Sequence, residues 1–221
     1  MMQPVIFDFN GTMLLDSDKN EAAWCQMIKE AVGYELTARD FAEHVHGIPN
    51  PETIKYYINK KFTLAETQPY SQRKEEIYRR LCLEDKEHFC LTKGLPEYLD
   101  YLVEKNIPHI IATSADWGNV SFYIKHFQLG RWFDPEKIIY FDGSFPGKPD
   151  PAIYLLAAQR LEVDIHTCLV YEDAYQGVIA AQRAGVKRII GLAAVPASQF
   201  LYKMPEVDTV IENFTVWRNF V

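Results

Sequence analysis

Four short stretches of this 221-residue chain end an apolar run in side chains that could do chemistry. In VIFDFNGTML the run stops at Asp8, and Asn10, Gly11 and Thr12 follow in what reads as a tight loop. A carboxylate at such a tip can attack phosphorus, provided that cations hold its charge beside an incoming phosphate dianion. Glycine at position 11 permits the turn, and the loop's backbone N–H groups are expected to face the same space. HIIATS ends in Thr113 and Ser114, with Ala115 next, and offers a hydroxyl and backbone amides to phosphate oxygens. PGKPDP carries Lys148, a point charge for the phosphate and for Asp8. CLVYED ends in Glu172 and Asp173, hard oxygen ligands of the kind Mg2+ prefers, and the same ion could take the backbone carbonyl of residue 10. Singly, each has an ordinary reading: a strand-end Asp as a helix cap, a Glu-Asp pair as solvated charge, a Lys before Pro as surface.

The elements needed to bring these residues together are legible in the patterning. β-rich runs occur at 4–9, 108–113, 137–141, 168–173, 187–192 and 208–212, mostly continuous and apolar, as in strands buried on both faces of a parallel sheet. Helix signals lie between them: Pro96 in a first turn, Asp150 as N-cap with Pro151 at the first helical position, and Gly185 closing AYQGVIAAQRAG. This alternation predicts an α/β fold, a doubly wound parallel sheet of the Rossmann-like kind, with ligands at the carboxyl ends of its strands. From residue 16 to 92 only helical patterns remain, including NPETIKYYINKKF with Asn50 as N-cap and Pro51 at the first position. Such a block inserted after the first strand reads as a lid, or as an ordinary helical layer, since both use amphipathic helices. The expected division is 1–15 and 93–221 as the core, with 16–92 as the insert. The last stretch, FLYKMPEVDTVIENF, reads as a final helix and an edge strand.

Composition narrows the classes of function. With 48% hydrophobic and 24% charged residues and no apolar run near the length of a membrane span, the chain reads as a soluble protein that does not engage membranes. A net charge of −7 without a basic cluster argues against nucleic acid as partner. The N-terminus lacks the marks of a signal peptide, so a cytoplasmic location is expected. Cys25, Cys82, Cys90 and Cys168 are dispersed, without CxxC or paired histidine spacing, and read as reduced, mostly packed residues.

Taken in order, Asp-x-x-Gly-Thr, then Thr-Ser, then Gly-Lys-Pro-Asp-Pro, then Glu-Asp before AYQGVIAAQRAG resemble the motifs of the haloacid dehalogenase superfamily. The helical insert is similar, by length and helicity, to the C1 cap of its phosphatases and mutases related to β-phosphoglucomutase. The resemblance implies a Mg2+-dependent phosphohydrolase working through an aspartyl phosphate. By it Asp8 is the nucleophile, Thr113 and Lys148 hold the phosphate, and Asp8, the residue-10 carbonyl and Asp173 bind the metal, with Glu172 beside them or acting through water. The implied partner is a small phosphorylated metabolite such as a sugar phosphate, and the implied assembly a monomer or weak homodimer.

Position 10 departs from that pattern. The phosphatases and mutases usually carry a second aspartate there, which protonates the leaving oxygen and later activates water. Asn10 keeps the shape but cannot exchange a proton near neutral pH. Three readings follow: a hydrolase with a good leaving group or a substitute acid, with His46, Glu43 and Asp116 as candidates; a phosphate-ligand binding protein with crippled catalysis; or an introduced substitution that traps a complex. Deamidation at Asn10-Gly11 would regenerate a carboxylate, although a rigid loop should suppress it. The superfamily's dehalogenases lack the Glu-Asp pair. Its phosphonate-cleaving branch lacks the second acid but needs a cap lysine for a Schiff base, and Lys19, Lys29, Lys55, Lys60 and Lys61 are all open. A mutase must hold a second phosphate, for which Asn50, Asp116 and Trp117 are poor substitutes. Trp117 could stack on a sugar or base or serve the lid contact; Gly47 could turn a specificity loop, and His46 could touch substrate or simply end a helix.

Overall fold

The computed structural model describes residues 3–220. Five strands form one sheet in the order β2-β1-β3-β4-β5: β1 Val5–Phe7, β2 His109–Ile111, β3 Leu169–Glu172, β4 Arg188–Leu192 and β5 Thr209–Ile211. Every pairing is parallel; Phe7 stands beside Ile111 on one flank and Tyr171 on the other. The predicted doubly wound α/β fold is what forms.

Strand side chains alternate between two different cores. Ile6, Ile110 and Val170 point into an aliphatic layer with Ile153, Ala157, Val178 and Ala181 from helices α7 (Ala152–Leu161) and α8 (Tyr175–Ala184). Phe7 and Tyr171 belong to an aromatic layer, stacked at 5.2 Å, with Tyr98 and Phe214 against them and Trp217 stacked on Tyr98 at 5.3 Å. Tyr98 comes from α5 (Leu95–Glu104), where Pro96 sits in the first turn as expected.

The run 137–141 does not become a strand. Ile139 makes a single parallel bridge to Ala112, and Thr113 N–H donates to its carbonyl. Beyond that Phe141 N–H donates to Ala115 O, but the chain on the β2 side turns toward α6 (Trp117–Phe127) and no regular strand forms. Of the final stretch, β5 is indeed the edge strand, and the helical part is 3₁₀, Pro196–Lys203. Helix starts also shift by a residue or two. Helix α7 begins at Ala152 with Pro151 as its N-cap residue, and Asp150 accepts from Ala152 N–H instead.

The chain divides into two compact units, Met1–Leu15 with Cys90–Val221, and Asp16–Phe89. The second is wholly helical: α1 Ser17–Val32, α2 Ala38–His44, α3 Asn50–Tyr57 and α4 Leu64–Glu84. Thr37 with Asp40 and Thr63 with Glu66 form capping boxes that fix the starts of α2 and α4. Helix α3 starts one residue earlier than read, capped at Pro49, because the Asn50 side chain is used elsewhere: it donates to Glu75 at 2.6 Å. Glu75 in turn pairs with buried Lys74, whose ammonium lies 5.4 Å from the Trp24 ring and 5.0 Å from that of Tyr78. No described helix is long and apolar enough to cross a membrane. Among the cysteines, Cys82 and Cys168 are buried, and burial pushes their thiols up to about 12 and about 11; Cys90, by contrast, is exposed.

Candidate active site

Strand order places the chemistry. From β1 the chain crosses to β2 on one side and then returns to β3 on the other, so the sheet reverses direction of winding between β1 and β3, where α/β sheets open a crevice at their carboxyl ends. Asp8 follows β1 and accepts strand register from β3, donating its N–H to Tyr171 O at 3.0 Å. Glu172 ends β3 and Asp173 follows it. Lys148, from the segment before α7, reaches between them: its ammonium lies 2.7 Å from Asp8 Oδ1 and 2.5 Å from Glu172 Oε1. Asp8, Lys148 and Glu172 are all buried. Burial alone would lower the Lys148 pKa, but the two carboxylates outweigh it and hold it well above the ordinary lysine value.

Glu172 is fully occupied. Its Oε1 also accepts from the Tyr154 hydroxyl at 3.0 Å, and its Oε2 accepts from the N–H groups of Asp173 and Ala174 at 2.7 and 2.8 Å. Burial, then the Glu172 charge, push the Tyr154 hydroxyl far above its usual range, so it remains a donor. The carboxylate therefore ties the lysine, helix α7 and the turn into α8 together. Gly177 makes room for it: a Cβ there would lie 1.5 Å from Glu172 Oε1. Gly177→Ala is accordingly expected to displace Glu172 and cost about 1–3 kcal/mol, read as a lowered urea midpoint. Gly130→Ala, whose Cβ would meet nothing within 4 Å, is the matched control.

The Asp8 loop is shaped differently from expectation. Its amides at Thr12, Met13 and Leu14 donate to Phe9 O, and that of Gly11 to Leu14 O at 2.7 Å, so these four close the turn instead of facing a ligand. Gly11 is required for two reasons: φ is +80°, and a Cβ would fall 2.0 Å from Asp173 Oδ2. The buried Thr12 hydroxyl donates to Asp173 Oδ1 at 3.2 Å, so the loop orients that carboxylate. Asn10 Nδ2 donates to the hydroxyl of Tyr123 in α6 at 2.8 Å, and the buried Tyr123 ring stacks on Phe9 at 4.4 Å.

One strand over, Ala112 N–H donates to Phe7 O, which sets buried Thr113 beside Asp8 at the sheet's carboxyl edge. Thr113 Oγ1 accepts from Ala115 N–H at 3.1 Å, folding the Thr113–Ser114–Ala115 loop back on itself. Asp116 caps α6 by accepting from Asn119 N–H, and exposed Trp117 leans on Tyr140 with ring centroids 5.2 Å apart.

Asp8, Glu172 and Asp173 each bring a carboxylate oxygen within 4.8 Å of the others. Three carboxylates against one ammonium leave a net negative, all-oxygen cluster, the donor set suited to Mg2+. Both Glu172 oxygens are already engaged within the protein. His46, Gly47 and Asn50 belong to the helical unit. There His46 Nε2 stands 3.0 Å from Glu21 Oε1 without hydrogen-bond alignment, Gly47 has φ of +74°, and Asn50 is committed to Glu75.

Sequence reasoning did not single out Tyr154, Tyr123 or Gly177. Tyr154 lies six residues after Lys148 on the next helix, a proximity that could have flagged it. The partners of Tyr123 and Gly177 lie across the fold, and nothing local marks them.

Comparison with known proteins shows the family. A family model described as haloacid dehalogenase-like hydrolase matches residues 2–185. The chain is 29% identical over 191 residues, 86% of its length and 85% of the other's, to a phosphorylated carbohydrates phosphatase of Thermotoga maritima. It is 29% identical over 198 residues, 84% of its length and 81% of the other's, to β-phosphoglucomutase of Bacillus subtilis. Among solved structures, a HAD hydrolase of family IA, variant 3, from Entamoeba histolytica superposes with TM-score 0.84 at 35% identity, covering 97% of this chain and 95% of that one. With the motif order, the switch-point cluster and the family match all coinciding, the chain belongs to the haloacid dehalogenase-like hydrolases.

Proposed function

We propose that the protein is a Mg2+-dependent phosphohydrolase that transfers the phosphoryl group of a small phosphorylated metabolite first to Asp8 and then to water. The observation carrying this reading is the Asp8–Lys148–Glu172 chain, in which a buried carboxylate has its charge held by a buried ammonium that is itself locked from behind. An Asp whose Oδ1 is fixed by Lys148 offers its other oxygen for in-line attack. Lys148 also stands where a phosphate oxygen would arrive, and Thr113 with the Ser114 and Ala115 loop borders the same edge. Mg2+, held by Asp8, Asp173 and the residue-10 carbonyl, would neutralise phosphate charge and fix its orientation. Asp173 is kept in place by Thr12, and Glu172 acts on the reaction only through Lys148. The phosphatase and mutase relatives named above support a phosphorylated carbohydrate as the substrate class. The helical unit 16–89 takes the part of a specificity cap in this reading, with Gly47, His46 and Asn50 on it.

Position 10 favours a second reading, a phosphate-ligand binding protein, because an amide cannot act as general acid or base and such a loss removes about 10²- to 10⁴-fold in rate. The phosphonate-cleaving alternative is weaker. Its Schiff-base lysine needs a depressed pKa; burial of Lys19 is outweighed by Asp18 and Asp85, and Glu35 raises Lys29, so both stay above the usual value.

Phosphate release from a panel of sugar phosphates, with and without Mg2+, separates the readings when the protein is run beside Asn10→Asp. Mg2+-dependent turnover by the unaltered protein establishes the hydrolase. Turnover by Asn10→Asp alone leaves the binding protein.

A further inference from the structure

Two features at one edge of the sheet point to the leaving group. The first is Asn10, whose amide nitrogen is anchored to the buried Tyr123 hydroxyl. A carboxamide does not give up a proton near neutral pH, so Asn10 cannot protonate an expelled oxygen. The second is the aromatic pair next to Thr113. Tyr140 directly follows Ile139, whose carbonyl bonds Thr113 N–H, and Trp117 opens the helix four residues beyond Thr113. The indole is 49% exposed, although its partner ring and the helix N-terminus hold it in place. Asp116, beside it, brings a carboxylate that repels a second anionic group. A ring is welcome at this edge, and a second phosphate is not.

Resting on the phosphohydrolase reading, but departing from the carbohydrate substrates of the relatives, we propose that the site is specialised for monophosphate esters of an acidic hydroxyl borne on a planar ring, with aryl phosphates as the type. An alkoxide leaving group is too basic to depart without a proton, whereas a phenolate is not. In the first step an Asp8 carboxylate oxygen bonds to phosphorus, the P–O(aryl) bond breaks, and its electron pair leaves on the phenolate, which takes its proton from solvent. In the second, water oxygen bonds to phosphorus and the Asp8–phosphorus bond returns its pair to the carboxylate. The proton from water passes to the released phosphate. Trp117, with Tyr140 behind it, stacks on the ring and sets it at the mouth of the phosphate site.

The test compares kcat/KM for 4-nitrophenyl, phenyl, benzyl and n-butyl phosphates with Mg2+. This ratio reports events only through loss of the first product, so slow hydrolysis of the phosphoenzyme does not enter. In the native protein it should fall about 100-fold or more from nitrophenyl to benzyl. Asn10→Asp should raise the benzyl-to-nitrophenyl ratio of turnover by about 10²-fold, with far-UV circular dichroism showing that the variant folds. Trp117→Ala should remove a preference of about 3- to 10-fold for benzyl over butyl phosphate. A native protein that hydrolyses benzyl and nitrophenyl phosphates at similar rates overturns the proposal. So does an Asn10→Asp variant that raises both esters equally, or a benzyl preference that survives Trp117→Ala. If the native protein hydrolyses none of the four, and none in an Asp8-dependent way, the phosphohydrolase reading falls and takes this one with it.

Discussion

Asp8→Asn is expected to abolish Mg2+-dependent phosphate release, lowering it by at least about 10⁴-fold, as removal of a nucleophile does when the rest of a site is intact. The substitution is nearly isosteric, and its amide oxygen still accepts from Lys148, so the fold should persist. Far-UV circular dichroism and the urea midpoint would establish that. The more direct measurement is chemical: acid quenching of the native protein mixed with labelled substrate should leave an acid-stable, hydroxylamine-labile phosphate on Asp8. Asp8→Asn should carry none. Residual activity within tenfold of native would remove Asp8 from the mechanism, whatever the geometry around it.

Lys148→Met should be the most damaging single change to stability. Lys148 is 2% exposed, and its ammonium lies 2.7 Å from Asp8 and 2.5 Å from Glu172, themselves 6% and 0% exposed. Removing it leaves two buried carboxylates with no cation, for which the expected cost is about 3–5 kcal/mol. In a chain of this size that is a fall in Tm of about 6–20 °C. Glu172 retains Tyr154 and two backbone donors, so Asp8 should bear most of the strain, and activity should vanish together with stability. Lys148→Arg is not a rescue, since a planar guanidinium cannot occupy the space of one compact ammonium between two acids and the Tyr154 ring. A Lys148→Met protein with an unchanged denaturation midpoint would mean that the two carboxylates reorganise or protonate at no cost, contrary to this account.

Much of the core was legible because its signals are local. A continuous apolar run ending in Asp8 already says a strand buried in a parallel sheet with a carboxylate at its end, and the alternation with helices says doubly wound; the strand order itself came only from the structure. What escaped depended on distance or on competition. Glu172 reads as a metal ligand in isolation; only its partners Lys148, Tyr154 and the Asp173 and Ala174 amides show that its oxygens are taken. Asn10 reads as a missing acid, and its bond to Tyr123, 113 residues away, could not be read from either residue. The loop amides looked available for an anion, yet the turn after Asp8 consumes those of residues 11–14. The run 137–141 has a strand's composition and lacks only a neighbour long enough to pair with it. Asn50 looks like a helix cap until Glu75 claims its amide.

The way the chain leaves and re-enters its sheet-bearing unit has a separate consequence. Leu14 and Leu91 form an antiparallel bridge, Thr92 N–H donates to Met13 O, and the Thr92 hydroxyl donates to Thr12 O. Everything between is tethered at a single closed neck, built from the sheet-bearing unit's own backbone. Because the penalty for closing a loop grows only slowly with its length, that neck tolerates inserts of very different size with little change in the free energy of the unit that carries Asp8. Under the proposed function, the helices of 16–89 then form a cassette whose exchange would be a route to new substrates, with Asp8, Lys148 and Glu172 staying where they are.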